Sequence, residues 1–91
     1  MRFTFDPAKS VRNQAKHGID FVEAQAIWLD ADRLEIAART LGEPRWQVIG
    51  RIGVHLWSAI VTYRHDEETR IISVRRARRT ERAQYRRLRD Q

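Results

Sequence analysis

Between Arg70 and the C-terminus the chain places nine arginines against two acids, Glu81 and Asp90, a net of +7, while the rest holds nine Lys and Arg against ten acids. The whole positive excess therefore sits on one stretch. Guanidinium groups grip phosphate or carboxylate oxygens through paired donors, so such a field attracts a polyanion or an acidic protein. Other chemistry is poorly supplied. There is no Cys, hence no disulfide, thiolate nucleophile or cysteine zinc ligand. His17, His55 and His65 show no metal-ligand spacing such as an i, i+4 pair, and no cofactor motif is present.

The elements along the chain must position these groups. Arg2-Phe3-Thr4-Phe5 alternates as a short strand. Asp6-Pro7 can cap and open a helix over Pro7 to Lys16, which Gly18 ends. Asp20-Phe21-Val22-Glu23 reads as a capping box for a second helix ending near Leu29-Asp30, with Phe21, Ala24 and either Ile27 or Trp28 inward. A meander follows. Leu34 and Ile36 alternate with charge, Leu41 to Pro44 is a turn, Arg45 to Arg51 is a strand, and Val54 to His65 is the longest strand. Asp66 to Thr69 is a polar hairpin loop. The last strand, with Ile71, Ile72 and Val74, passes from about Ala77 into a basic helix in which Ala77, Glu81, Tyr85 and Leu88 share a face.

The expected fold is α+β over residues 1–91 as a single domain. It has two N-terminal helices, an antiparallel sheet of about four strands, and a C-terminal basic helix, with the helices grouped on one side of the sheet. Trp28, Trp46 and Trp57 read as core, and His55 and His65 as exposed strand-end residues. No apolar run approaches the ~20 residues that span a bilayer, and no signal-peptide stretch opens the chain, so a cytoplasmic protein is expected.

Phe5-Asp6-Pro7-Ala8-Lys9, Asn13, Lys16-His17-Gly18, Phe21, Ala24 and Asp30 resemble the opening of the BrnT toxin family. Arg45, Ile49-Gly50, Tyr63, Arg70 to Arg75, Ala77, Glu81, Arg82 and Tyr85 are similar to its second half. The two patterns fall in the right order and cover about residues 3 to 85. The resemblance implies a RelE-like fold and a ribonuclease toxin. Its partner would be a ribbon-helix-helix antitoxin of the BrnA kind, joined to it in a heterotetramer or larger assembly.

RNA cleavage without a metal uses the substrate's own 2′-hydroxyl. It needs a base for that proton, cations for the phosphorane, and an acid for the leaving 5′-oxygen. Arg75 and Arg70, flanking the last strand, are the leading candidates for the cations. Arg75 shares a strand face with Ile71 and Ser73. His17 is either a proton carrier or a helix C-cap, and Lys16 either a phosphate ligand or a complement to the helix dipole. Glu81 is either a general base or an ion-pair hub among Arg75, Arg78 and Arg82, where its pKa would be lowered. Tyr85 is either a stacking platform or proton donor, or core with its hydroxyl at the edge. Lys9, Arg78, Arg79 and Arg82 complete the RNA-binding set. A non-catalytic basic module that docks nucleic acid or an acidic partner is the alternative.

Overall fold

The computed structural model describes residues 1–65 and 67–89; Asp66 of the expected hairpin loop, and Asp90, lie outside them. Five strands, β1 (Arg2–Thr4), β2 (Leu34–Ala38), β3 (Arg45–Ile52), β4 (His55–Arg64) and β5 (Glu68–Arg76), form one sheet in the order β1-β5-β4-β3-β2. The meander β2 to β5 is antiparallel, as expected. The sheet is nonetheless mixed, because the first strand joins it and lies parallel to β5, with Thr4 opposite Arg70.

Helix α1 (Pro7–His17) starts where Asp6 Oδ1 accepts the Ala8 N–H at 2.9 Å, and ends at Gly18, whose φ of 76° is the left-handed cap that glycine adopts without strain. The capping box also forms. Glu23 N–H donates to Asp20 Oδ1 at 2.8 Å, and Asp20 N–H donates to Glu23 Oε1 at 3.1 Å. The segment behind it, Glu23–Leu29, is however a 3₁₀ helix rather than an α-helix. Phe21, Ala24 and Ile27 explain the difference: all three are buried at i, i+3 spacing, which a three-residue turn aligns in one row. That row packs so close to β3 that a Cβ on Gly50 would stand 2.7 Å from Ile27 Cγ2.

The helices do not share one side of the sheet. Phe21, Ala24 and Ile27 cover the face that carries Val48, Ala59, Val61, Ile71 and Val74. Helix α2 (Arg79–Arg89) lies over the other face, where Ala77 and Tyr85 pack with Ile49 and Leu56 beside Leu34 and Ile36. A meander with one long amphipathic strand pair has two faces to bury, and two short helical segments cannot cover both. Trp28 and Trp57 pack against the first core, but Trp46 is exposed, tilted against Tyr63.

Two short strands leave their neighbours with unpaired backbone, and a side chain completes each. β1 ends at Thr4, so Val74 has no strand beyond it. Asn13 takes that place: its Nδ2 donates to Val74 O at 2.9 Å, and Val74 N–H donates to its Oδ1 at 3.2 Å. On the other side β2 begins only at Leu34, opposite Ile49, and Asp30 Oδ2 accepts the Arg51 N–H at 2.9 Å. Both devices satisfy buried backbone groups that would otherwise cost free energy.

One irregularity re-aims the site. β4 and β5 pair with Ile60 opposite Ser73 and Val61 opposite Ile71, which leaves Ile72 as a bulge. Ile71 therefore faces the first core, while Ser73 and Arg75 face the α2 side. The expectation that Arg75 and Ile71 share a face fails for this reason. One inserted residue exchanges the faces of everything beyond it.

Candidate functional site

Arg75 leaves β5 on the α2 side and meets Glu81 end-on. Nη1 donates to Oε1 at 2.7 Å and Nη2 donates to Oε2 at 2.8 Å. Glu81 is the third residue of α2, and its Oε1 also accepts the Arg78 N–H at 2.8 Å, the reciprocal half of a capping box. Gln47 on β3 adds a fourth bond: its Nε2 donates to Glu81 Oε2 at 2.6 Å and to Ser58 Oγ at 2.9 Å. Chain segments from β3, β5 and α2 thus converge on one carboxylate, and Ser58 on β4 joins them through Gln47.

The electrostatics follow from those bonds. The Arg75 hydrogen bonds first, then those of the Arg78 N–H and Gln47, outweigh burial and hold Glu81 down to about 2. The same carboxylate raises Arg75 above its already high value. A carboxylate with four donors and so low a pKa is a weak proton acceptor, and its two oxygens hold the Arg75 guanidinium end-on. The depressed pKa also sets a pH dependence. Stability from the pair is present above the unfolded value near 4.5 and is lost as pH falls toward about 2. Melting temperatures recorded across that window should fall in the wild type and fall less in Glu81→Gln.

Tyr85 is placed differently from a stacking platform. It is 1% exposed. Its hydroxyl donates to Asp30 Oδ2 at 2.7 Å, and Arg51 lies over its ring at 5.8 Å from the centroid. Burial and the Asp30 bond raise its pKa. Burial alone would push Asp30 up, but hydrogen bonds from Tyr85 and from the backbone of Arg51 and Asp32 lower it. The Tyr85–Asp30 bond ties α2 to the chain segment on the opposite face of the sheet.

The structure brings together Arg75, Glu81 and the start of α2, where Arg78 and Arg79 are exposed. Arg82 is half-buried, its Nη1 donating to Ala77 O at 2.7 Å. Arg70 lies on the same face as Arg75 but further along β5, opposite Thr62. Lys9, Lys16 and His17 are on α1, beside β5, with Lys16 and His17 within a turn of Asn13 and so near Val74. Neither of these two makes a hydrogen bond or ion pair with Arg75 or Glu81. Gln47, Ser58 and Asp30 go unnoticed as site residues in the sequence. The available signal is a polar residue at an inward strand position, as Ser58 is between Trp57 and Ala59. No cluster of three metal-ligating side chains occurs among the described residues.

The structure is a small mixed-sheet α+β domain with an arginine locked at a helix start and an exposed cationic rim, a surface whose charge suits a polyanion. The family model of the ribonuclease toxin BrnT, of type II toxin–antitoxin systems, matches residues 5–81, and the chain belongs to that family. The crystal structure of the Brucella abortus ribonuclease toxin BrnT is similar to it, with a TM-score of 0.66 and 27% identity over 87% of this chain and 99% of that one. No curated protein matches the sequence.

Proposed function

We propose that this toxin cleaves RNA endonucleolytically without a metal and so inhibits translation in the cytoplasm. A ribbon-helix-helix antitoxin silences it in a heterotetramer or larger complex. The observation that carries the catalytic reading is the unused half of Arg75. A guanidinium has five N–H donors. Glu81 takes one from Nη1 and one from Nη2, and Arg76 O takes the other Nη1 hydrogen at 3.1 Å. The Nε–H and the second Nη2–H remain, side by side, on a side chain 29% exposed. That fork matches two oxygens of one phosphate.

In this reading the fork binds the scissile phosphate and gains strength as charge builds on the phosphorane. The 2′-oxygen bonds to phosphorus and gives up its proton, and the bond to the 5′-oxygen breaks as that oxygen takes one. Arg78 and Arg79 hold the strand. His17 supplies an imidazole as proton carrier, with Lys16 and Lys9 extending the cationic surface along α1. Glu81 aims Arg75, and Tyr85 anchors α2.

Incubating the purified protein with RNA in EDTA tests this reading. Cleavage should proceed with time and leave 2′,3′-cyclic or 3′-phosphate ends and 5′-hydroxyls. Products with 5′-phosphates would rule out attack by the 2′-hydroxyl. RNA retarded in a gel but left intact would favour a non-catalytic binding module.

A further inference from the structure

On the α2 side of the sheet, side chains form rows that run across the strands. Ile49, Ser58 and Arg75 make one row, Gln47, Ile60 and Ser73 the next, and Thr62, Arg70 and Thr4 the one after. Arg45, one residue before Trp46, which pairs with Val61, stands at the β3 end of that last row. Helix α2 packs on Ile49 and Leu56, at the far end. Ser73 and Arg45 are exposed and Ile60 is half-buried, so the outer rows are open.

Arg70 is half-buried in the open region and makes no ion pair or hydrogen bond among the described residues. Its strand partner Thr62 is 1% exposed, and the Thr62 hydroxyl has no hydrogen-bond partner. The next row outward is neutralised. Glu68 takes Arg2 at 3.1 Å, Arg64 at 3.8 Å and the Thr4 hydroxyl at 3.1 Å, and Arg64 also meets Glu43. Among the described residues Arg70 and Arg45 are therefore the last cations without an ion pair on this face before the charges cancel.

The spacing decides what Arg70 can do. Ser58 and Thr62 are the β4 partners of Arg75 and Arg70, and four residues of strand amount to roughly 13 Å. Glu81 also holds Arg75 toward α2, away from the Arg70 row. One phosphate group is too small to be gripped by both.

We infer that Arg70, with Arg45, forms a second phosphate subsite of the RNA-binding face. It takes a phosphate further along the strand than the one next to the scissile group, while Arg75 alone holds the scissile group. This rests on the RNA reading above and removes Arg70 from the chemical step. Gln47, Ile60 and Ser73, in the row between, face the nucleotides that link the two phosphates.

Uncleavable oligonucleotides, 2′-deoxy throughout and lengthened by one phosphate at a time on either side, test this by their Kd in the wild type, Arg70→Ala and Arg70→Lys. Wild-type affinity should step up about tenfold when the chain first reaches the second subsite. Arg70→Ala should lose the step and reduce the salt slope on long oligonucleotides by about 0.7, the loss of one single-strand phosphate contact. Arg70→Lys, which keeps the charge, should keep that slope. In parallel, Arg70→Ala should lose more kcat/KM on long RNA than on the shortest cleavable RNA, which does not reach the second subsite. A step that survives Arg70→Ala, or a kcat on the shortest RNA reduced as strongly as by loss of Arg75, overturns the assignment. If the wild type cuts no RNA, the catalytic reading fails, and the length step in Kd still decides the subsite.

Discussion

Arg75→Ala is expected to slow RNA cleavage by about 10²–10³, the usual cost of one lost transition-state donor. The loss should fall on kcat rather than KM, because the free Nε–H and Nη2–H meet oxygens whose charge grows in the transition state. The same substitution leaves Glu81, 9% exposed, with only Arg78 N–H and Gln47 as donors. Removing one partner of a fully buried pair costs about 3–5 kcal/mol and of this part-buried one less, so the single variant will also melt earlier. The double variant Arg75→Ala/Glu81→Gln separates the two effects. It removes the unpaired charge and should recover most of the melting temperature while activity stays at the Arg75→Ala level. If activity returns with stability, Arg75 belongs to the scaffold and not to the chemistry. Arg75→Lys is a further check, since an ammonium cannot bind Glu81 end-on and phosphate side-on at once.

The parts of this fold that were legible in the sequence are those governed by local chemistry. Asp6-Pro7 and Gly18 bound α1, and Asp20 with Glu23 closes a capping box, because caps and left-handed turns depend on a few adjacent residues. The meander from Leu34 onward followed from alternation and turn residues. The parts that escaped depend on distant partners. Nothing in Arg2-Phe3-Thr4 says that it pairs in parallel with β5, because its partner is more than sixty residues away. The i, i+3 row of Phe21, Ala24 and Ile27 suits an α-helix and a 3₁₀ helix alike, and the close approach at Gly50 belongs to the tertiary packing. The bulge at Ile72 carries no Gly or Pro to announce it, so the face of Arg75 could not be read by counting residues from Ile71. For Glu81 two roles were open in the sequence. The four donors around it come from β3, β5 and the start of α2, and only the assembled sheet places Gln47 among them.

Reversing Arg78, Arg82 and Arg86 to Glu is expected to weaken antitoxin binding by about 100-fold or more at low salt, since like charges set against each other cost several kcal/mol. The three recur every four residues and form a slowly drifting row on α2, which Ala77, Glu81 and Tyr85 anchor to the sheet from an adjoining side. Arg78 and Arg86 are exposed, and Arg82 keeps one nitrogen on Ala77 O. Both RNA and a neutralising partner must recognise the toxin, and the C-terminal stretch holds its entire positive excess. An antitoxin segment rich in Asp, Glu and apolar residues laid along this row would cancel the charge that draws RNA and close off the Arg78 side of Arg75. Association should then be fast and steeply dependent on ionic strength, because exposed charges lose their reach once the Debye length falls to about 10 Å at 0.1 M salt. A groove on the other flank of α2, lined by Leu34, Ile36, Gln84, Arg87 and Leu88, offers a competing seat with an apolar floor. The measurement that decides is antitoxin affinity against salt for the wild type and the triple variant, with melting temperatures to confirm that α2 stays docked. A triple variant with wild-type affinity and wild-type salt slope would move the antitoxin off this row and leave the row to RNA.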